Sequence, residues 1–243
     1  MKAMILAAGK GERMRPLTNV TPKPLLAVSH KPLLVWHLDN LAQAGFKQVI
    51  INNAWLGHKI VEYIGTSYDG MEIIHSSEPE CLETAGGIAF ALEHLTTEND
   101  TPFVVLNGDT FIPQLPAQEF IQIAQNFTEN QQGFLYLVDN PSHNPNGDFI
   151  LNQESESLYN KDNPNPNIIN YESLTFSGMA LYRPSMFSHI VKGEHAKLAP
   201  LLNIGINEHK IFGTKFTKTW MDIGTPQRLE HVNKVVEEGL HLV

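Results

Sequence analysis

Short apolar runs alternate with amphipathic segments through the first half of the chain, and this alternation limits the folds available to it. Strands separated by helices pair in parallel through right-handed crossovers, and ligands bind beyond the carboxyl ends of such strands. We therefore predict that the stretches after Ala8, His75 and Leu106 lie at one rim of a sheet. The pattern predicts strands at 4–8, 48–52, 71–75 and 103–106, and helices at 33–44, 58–64 and 84–95.

The second half has a less regular pattern. It predicts strands at 134–138, 174–182 and 210–217, a hairpin at 149–152 inside an Asn-, Pro- and Ser-rich stretch, and a closing helix at 226–238. We expect one α/β domain over residues 1–243, with a Rossmann-like, mixed and mostly parallel sheet flanked by helices. Residues 1–110 form its first half, and a smaller β-rich part lies in the second half.

The charge is unevenly distributed. The formal net charge of the chain is −9, yet residues 1–31 contain six Lys or Arg residues and a single acidic residue, Glu12. An acidic chain is a poor candidate for binding nucleic acid, which calls for a broad basic surface. A small basic zone indicates a compact anionic ligand such as phosphate, or alternatively a solvated basic surface.

The location of the protein is constrained by two further features. Cys81 is the single cysteine, so an intrachain disulfide is excluded, which fits a reducing compartment. The apolar run at the start, Ala3 to Ala8, is shorter than the roughly 7–15 apolar residues of a signal peptide core or the roughly 20 of a membrane helix. We expect a cytoplasmic protein that does not bind membranes.

A glycine loop follows the first predicted strand. Gly9 and Gly11 allow backbone N–H groups to approach phosphate oxygens closely. Met14 occupies the position of the third glycine of a dinucleotide fingerprint, and the Gly-Lys-Ser/Thr ending of a P-loop is absent. What remains is a loop followed by Arg13 and Lys23, which can clamp one polyphosphate if the Pro-rich segment folds back. The alternative is a surface loop with solvated charges.

Two aspartates are candidate metal ligands. Asp109 follows an apolar strand and two small residues, and Asp222 lies in the stretch Trp-Met-Asp-Ile-Gly-Thr. Mg²⁺ takes one or two protein carboxylates and completes its coordination with phosphate oxygens and water. Taken singly, each aspartate is more often a cap or turn residue. Their proximity to a phosphate loop makes Mg²⁺ the expected cofactor.

These motifs together resemble those of the sugar-1-phosphate nucleotidyltransferases. The resemblance runs in order through Leu-Ala-Ala-Gly-Lys-Gly-Glu-Arg-Met-x-Pro-Leu-Thr, Pro-Lys-Pro, Asn-Gly-Asp and Trp-Met-Asp-Ile-Gly-Thr, over nearly the whole chain. It implies attack of a sugar 1-phosphate on the α-phosphorus of a nucleoside triphosphate, with departure of pyrophosphate. The implied catalytic residues are Arg13, Lys23 and Asp109; the metal ligands are Asp109 and Asp222; the nucleotide contacts are Ala8, Gly9, Gly11, Glu12, Arg13, Lys23, Glu83, Gly86, Gly87 and Asn107.

The base is expected to bind at residues 78–87. A carboxylate at Glu83 can accept a hydrogen bond from uracil N3–H, while backbone N–H groups near Gly86 or Gly87 serve a carbonyl. The same hydrogen-bonding pattern suits guanine, so this argument does not distinguish uridine or thymidine from guanosine. Further details, at 53–57, 82–87 and 175–178, are most similar to family members that act on N-acetylmuramate 1-phosphate, and this resemblance implies UTP. The alternative is that Glu83 is a helix N-terminal acid favoured by the dipole.

The sugar is expected to bind in the second half. The resemblance implies contacts from Gly147, Asp148, Thr175, Ser177 and Gly178. Relatives often carry Glu-Lys-Pro after the hairpin, whereas this chain has Asn-Lys-Asp-Asn-Pro at 160–164, so the usual hydroxyl contact is not assured. Two rival functions remain: a mannose- or heptose-1-phosphate guanylyltransferase, and a non-catalytic nucleotide-sugar sensor. The expected partners are small-molecule substrates, UTP and the sugar 1-phosphate, with the protein a monomer or a small homo-oligomer.

Overall fold

The computed structural model describes residues 1–161 and 171–239. Its strands are Lys2–Leu6 (β1), Ala27–Val28 (β2), Lys31–Pro32 (β3), Gln48–Asn53 (β4), Ser67–Tyr68 (β5), Met71–Ser77 (β6), Phe103–Asn107 (β7), Thr110–Phe111 (β8), Gly133–Val138 (β9), Phe149–Asn152 (β10), Ser157–Asn160 (β11), Tyr171–Tyr182 (β12), Ile211–Lys215 (β13) and Met221–Asp222 (β14). Its α-helices are Leu33–Gln43 (α1), Gly57–Ile64 (α2), Glu83–Phe90 (α3), Leu92–Leu95 (α4), Ala117–Gln125 (α5), Leu198–Asn207 (α6) and Pro226–Glu237 (α7).

The main sheet has the strand order β10-β11-β13-β9-β12-β7-β1-β4-β6-β5. Strands β7, β1, β4 and β6 are parallel neighbours, so their carboxyl ends meet at one rim, as the alternating pattern predicted. β12 runs antiparallel between β7 and β9 and joins the two halves of the sheet. The predicted class, an α/β fold with a mixed sheet, is confirmed, and antiparallel pairing is concentrated in the second half.

Helices cover both faces of this sheet. One apolar cluster packs α1, α2 and α5 against one face, and a second packs α3, α4 and α6 against the other. Alternate residues of β1 belong to opposite clusters: Ala3 and Ile5 face the first and Met4 the second. Because β1 is covered on both faces, it reads in the sequence as a continuous apolar run.

A third apolar cluster lies at the rim and joins distant parts of the chain. Met14 from the glycine loop, Phe111 from β8 and Ile223 beside β14 are fully buried in it, together with Val232 from α7. This cluster holds the basic N-terminal segment against the turn that carries Asp109 and against β14, which carries Asp222. The closing helix is therefore part of the support of the rim.

Several predicted element boundaries differ from the structure. β1 begins and ends two residues earlier than predicted, so Ala7 and Ala8 already belong to the loop. The helix predicted at 84–95 is divided at Ala91 into α3 and α4. Neither α5 nor α6 was predicted, and α6 carries Pro200 within its first turn. Residues 162–164, where the sequence departs from Glu-Lys-Pro, lie outside the described residues.

No helix in the described ranges combines the length and the apolar character that crossing a membrane would require.

Candidate active site

A cleft of about 660 Å³ opens at the carboxyl ends of the parallel strands. The glycine loop forms one wall and the start of α3 forms another, while Lys23 and Asp109 lie between them. Of the residues predicted to bind nucleotide, the structure brings these to the cleft: Ala8, Gly9, Gly11, Glu12, Arg13, Lys23, Glu83 and Asn107. The rim predicted from the strand pattern is thus the wall of a real cavity.

The glycine loop owes its compact path to Gly11. This residue has φ +61°, and a Cβ there would lie 2.9 Å from Thr18 Cγ2. The Thr18 hydroxyl donates to the Gly11 carbonyl at 2.7 Å, and Met14 N donates to the same oxygen at 2.9 Å. Glycine is required because a side chain would be both strained and obstructed. The loop therefore folds back over itself and directs residues 12–14 along the cleft.

Lys23 forms the most specific polar contact in the cleft. It lies on a short 3-10 turn between Pro22 and Pro24 and is only 7% exposed. Its Nζ atom lies 2.6 Å from Asp109 Oδ2, whereas the Asp109 side chain is 41% exposed. A buried ammonium needs a partner, and the Asp109 carboxylate provides one inside the cleft. The fold-back of the Pro-rich segment, a condition of the sequence hypothesis, is present.

Arg13 lines the same cleft and is exposed. Within residues 1–161 and 171–239 no salt bridge engages its guanidinium, whereas the Lys23 ammonium is paired with Asp109. Lys10 also lines the cleft. The wall formed by residues 9–13 thus presents two cations to an incoming ligand, which favours a polyphosphate.

The backbones of Asp222 and Asp109 lie next to each other. β14 pairs antiparallel with β8, which places Asp222 opposite Thr110, and Ile223 N donates to Asp109 O at 2.9 Å. The Asp222 carboxylate forms a close salt bridge with Arg228 of α7, and His143 Nε2 lies 3.4 Å from its Oδ1 atom. Asp222 itself is absent from the lining of the cleft, which Gly224 reaches.

The donor set at this point fits Mg²⁺. Within the described ranges no cluster of three or more His, Cys, Asp or Glu side chains forms a protein-only metal site. Asp109, half-exposed in the turn before β8, and Asp222 on β14 are two carboxylates of the kind that suits an ion taking one or two carboxylates and completing its shell with phosphate oxygens and water.

A buried polar chain behind the glycine loop was missed by the sequence analysis. Asn52 Oδ1 accepts from Ala7 N at 2.7 Å, and Asn52 Nδ2 donates to Glu78 Oε1 at 2.5 Å. Glu78 Oε2 accepts from Leu82 N at 3.1 Å. Burial raises the pKa of Glu78, although the hydrogen bonds to its carboxylate act against that change. Both side chains line the cleft, and polar residues at the ends of two apolar strands were the available signal.

Glu83 lies where the cleft meets a second cavity. It begins α3 with φ +64°, a left-handed conformation that favours glycine. Its side chain is exposed, and residues 83 and 84 line both cavities. A strained backbone at the junction of two cavities indicates a functional position.

Gly86 and Gly87 are not at the cleft surface. Gly86 N donates to Ala196 O at 3.0 Å, and a Cβ on Gly86 would lie 2.5 Å from Glu194 O. A Cβ on Gly87 would lie 2.7 Å from Glu78 Oε1. The backbone N–H of Gly86 is therefore engaged by the segment before α6 rather than open to a base. Both glycines act as packing positions in this structure.

The second cavity, of about 740 Å³, continues from the cleft on the other side of Asn107. Leu6, Glu83, Thr84 and Asn107 line both spaces. Of the residues predicted to bind sugar, Gly147, Asp148 and Gly178 reach this cavity, as do two lysines that were not among them, Lys161 and Lys197.

Thr175 and Ser177 do not line the second cavity. Ser177 is 1% exposed, and its hydroxyl donates to Tyr136 O at 2.6 Å within a bulge of β12. The Thr175 hydroxyl donates to Asn140 Oδ1 at 2.9 Å. Both side chains are therefore buried and hydrogen-bonded within the fold rather than exposed to the cavity.

Gly147 and Gly178 shape the wall of the second cavity. Gly178 has φ +80°, and a Cβ there would lie 2.4 Å from Asn107 Nδ2. Gly147 has φ +66°, and its carbonyl accepts from Lys161 Nζ. Asp148 next to it accepts from Phe176 N at 2.8 Å and from Asn144 Nδ2 at 2.9 Å. This wall is thus formed by closely packed glycine backbone and by side chains that are already hydrogen-bonded to other residues of the protein.

Comparison with known proteins identifies related sequences. Residues 2–239 match the protein family described as "Nucleotidyl transferase". The chain is 47% identical over 232 residues to the N-acetylmuramate alpha-1-phosphate uridylyltransferase of Neisseria meningitidis serogroup B, covering 95% of this chain and 96% of that one. It is 30% identical to a mannose-1-phosphate guanylyltransferase catalytic subunit beta of Drosophila pseudoobscura pseudoobscura, covering 93% of this chain but 60% of the relative.

Solved structures share the fold at low sequence identity. A Bacillus anthracis protein described as a glucose-1-phosphate thymidylyltransferase, in complex with sucrose, has a TM-score of 0.80 at 19% identity and covers 98% of this chain and 96% of its own. HddC from Yersinia pseudotuberculosis, complexed with GMP-PN, has a TM-score of 0.70 at 18% identity and covers 97% and 99%. The β-rich second half is therefore part of a fold that recurs in other proteins.

Proposed function

Because the chain belongs to the nucleotidyl transferase family, we propose that it transfers a uridylyl group from UTP to N-acetylmuramate 1-phosphate. The products are UDP-N-acetylmuramate and pyrophosphate, and the proposed role is the recycling of peptidoglycan in the cytoplasm. The observation that carries the proposal is a pair of adjoining cavities: Arg13, Lys23 and Asp109 line one, and the other is large enough for a sugar. The 47% identity to a uridylyltransferase of this specificity supports the choice of substrates.

Positioning and charge neutralisation account for the chemistry. An oxygen of the sugar phosphate attacks the α-phosphorus, the bond from that phosphorus to the bridging oxygen breaks, and pyrophosphate leaves with the electron pair. Arg13, with no salt bridge among the described residues, would bind the β and γ phosphates and stabilise the leaving group. Lys23 would neutralise the α-phosphate and the attacking phosphate, and Ala8, Gly9, Gly11 and Glu12 would bring the loop to the nucleotide.

Asp109 and Asp222 would hold Mg²⁺ together with phosphate oxygens. When bound, the ion would neutralise phosphate charge and fix the orientation of the triphosphate. In the structure each carboxylate has a cationic partner, Lys23 or Arg228. These two cations therefore neutralise the carboxylates before substrate arrives.

Base recognition would come from the wall formed by residues 78–84. Glu78 presents a carboxylate held by Asn52 and by Leu82 N, and Glu83 presents one at the junction of the two cavities. Either carboxylate can accept from the N3–H of uracil. Adenine offers an acceptor at the corresponding N1 position, so its pairing there would leave a carboxylate without a donor. The wall therefore favours a base that carries a ring N–H.

The acceptor sugar would lie in the second cavity with its phosphate directed past Asn107. Gly147, Asp148 and Gly178 line this space, and Lys161 adds a cation beside Gly147. Thr175 and Ser177 would act by supporting this wall, since their hydroxyls bond to Asn140 and Tyr136. A sugar at this location would lie beside the nucleotide cleft, because the two cavities share lining residues.

Turnover measurements would test the proposal directly. The purified protein is incubated with Mg²⁺, with UTP or GTP, and with N-acetylmuramate, mannose or heptose 1-phosphate, and pyrophosphate release is measured. We expect the fastest turnover with UTP and N-acetylmuramate 1-phosphate, and its loss in Asp109→Ala. Preferred use of GTP with another sugar would instead support a guanylyltransferase. Two observations favour this alternative: the 30% identical relative is a guanylyltransferase, and a carboxylate also suits guanine. Binding without turnover in every combination would favour a sensor.

A further inference from the structure

An exposed lysine with no partner of its own lines the second cavity. The charged residues that line this cavity, within the described ranges, are Glu83, Asp148, Lys161 and Lys197. Asp148 is engaged by Phe176 N, and Lys161 donates to Gly147 O. Lys197 has no hydrogen bond or salt bridge to any described residue. It is therefore a cation available to a ligand in the sugar cavity.

The backbone position of Lys197 is fixed relative to the nucleotide cleft. Ala196 exchanges two hydrogen bonds with the start of α3: Gly86 N donates to Ala196 O at 3.0 Å, and Ala196 N donates to Leu82 O at 3.1 Å. Gly86 has no room for a Cβ because Glu194 O lies too close. The segment that carries Lys197 is thus held against the helix that lines both cavities.

Lys197 lies on the sugar side of the junction between the two cavities. The phosphate of the acceptor sugar must point toward the end of the cavity shared with the nucleotide cleft, where Leu6 and Asn107 lie. Lys197 lines only the sugar cavity, beside Leu198 and Ala199 at the start of α6. A cation here faces a substituent on the sugar ring rather than the reacting phosphates.

Building on the proposed function, we propose that Lys197 is the residue that selects for a carboxylate on the acceptor sugar, the lactyl carboxylate of N-acetylmuramate 1-phosphate. An ammonium that forms a hydrogen-bonded ion pair with a carboxylate discriminates against a neutral ligand because the neutral ligand offers it no anionic partner. Lys197 thus distinguishes this acceptor from N-acetylglucosamine 1-phosphate, which lacks the lactyl group.

The test compares Lys197→Gln with the unmodified protein on three acceptors. They are N-acetylmuramate 1-phosphate, its lactyl methyl ester and N-acetylglucosamine 1-phosphate. We expect the variant to raise KM for the free acid by about tenfold to hundredfold, the range for a hydrogen bond to a charged group. Its kcat, and its kinetics with the ester and with N-acetylglucosamine 1-phosphate, should stay unchanged. Lys197→Arg should restore most of the preference for the free acid.

Lys192→Gln provides the matched control. Lys192 lies on the same segment but bonds to Glu93 Oε1 at 2.8 Å and lines neither cavity. Suppose that the unmodified protein turns over the free acid and that Lys197→Gln has the same ratio of KM for the acid to KM for the ester. This result would overturn the assignment of Lys197 and leave the proposed function intact. An unmodified protein that turns over none of the muramate acceptors would overturn both.

Discussion

Lys23 Nζ and Asp109 Oδ2 lie 2.6 Å apart although 86 residues separate them in the chain. The contact joins the first basic segment to the turn after the fourth parallel strand of the sheet. It places a candidate phosphate-binding cation and a candidate metal-binding carboxylate in direct contact. Substrate would therefore enter a site whose opposite charges are already brought together by the fold.

Replacing Lys23 by alanine tests the role of this contact in turnover. We expect kcat to fall by about 100- to 1,000-fold, the range for loss of one preorganised electrostatic contact. The melting temperature should change little, since Asp109 is half-exposed and can be solvated. Lys31→Ala is the control, because its ion pair with Asp39 is equally short, at 2.6 Å, but lies outside the cleft. A large drop in melting temperature for Lys23→Ala would instead assign the pair a structural role.

Replacing Asp222 by asparagine tests whether it binds metal. We expect the Mg²⁺ concentration for half-maximal activity to rise at least about tenfold, because an amide oxygen is a weaker ligand than a carboxylate for a hard cation. Titration of Mn²⁺ with the protein and a non-hydrolysable UTP analogue should show the same weakening. Asp139→Asn serves for comparison, as Asp139 pairs with Lys215 and lines neither cavity. Equal metal requirements in the two variants would exclude Asp222 as a ligand.

Gly178→Ala is expected to disturb Asn107 at the junction of the two cavities. Its Cβ would lie 2.4 Å from Asn107 Nδ2, so the side chain or the bulge has to move. Gly193→Ala is a matched control, since Gly193 also has positive φ, +91°, but has nothing within 4 Å of a Cβ. Both variants bear the cost of a left-handed alanine, about 1–2 kcal/mol. Chemical denaturation should show a larger loss of unfolding free energy for Gly178→Ala than for Gly193→Ala, and turnover should fall in Gly178→Ala. Equal losses of unfolding free energy in the two variants would contradict the proposed crowding.

His37 gives a prediction for the dependence of stability on pH. It is fully buried, and burial lowers its pKa from 6.5 to about 4, although the negative charge of Asp109 acts in the other direction. Below pH 6.5 the unfolded chain takes up a proton that the folded protein does not. Stability from this residue is therefore complete above pH 6.5 and is lost as the pH falls toward 4, by about 3 kcal/mol in total.

Chemical denaturation of His37→Leu at pH 7.5 and pH 4.5 measures this contribution. We expect the drop in unfolding free energy between the two pH values to be about 2–3 kcal/mol smaller in the variant than in the unmodified protein. His58→Gln replaces an exposed histidine and should show the same drop in unfolding free energy as the unmodified protein. The same pH dependence in His37→Leu and the unmodified protein would mean that another group is responsible.

The nucleotide half of the fold could be predicted because its signals are local. The parallel strands are covered on both faces and read as apolar runs, and the loop that carries Gly9 and Gly11 has a distinctive sequence. The family resemblance built on that loop is confirmed by the match over residues 2–239. The geometry of Arg13 and Lys23 in one cleft agrees with the clamp hypothesis, while their roles remain predictions.

The remaining features depend on which strands become neighbours. Asn52 and Glu78 form their hydrogen bond because β4 and β6 pair in register, which no local pattern specifies. The sequence analysis expected the Gly86 N–H to serve a carbonyl of the base. In the structure this N–H donates to Ala196 O, in a segment more than 100 residues further along the chain. The helix α6 was missed since Pro200 and Gly205 lower its propensity, while packing against the sheet stabilises it.

The apolar cluster that joins Met14, Phe111, Ile223 and Val232 has a consequence for how the protein becomes active during its synthesis. A ribosome adds residues from the N-terminus, so the glycine loop is synthesised before α7, whose Val232 and Val236 complete the packing of the cluster. Nascent chains that lack α7 can form the parallel strands yet leave the loop unsupported. Catalytic competence should therefore arrive late and abruptly in translation, rather than growing with chain length.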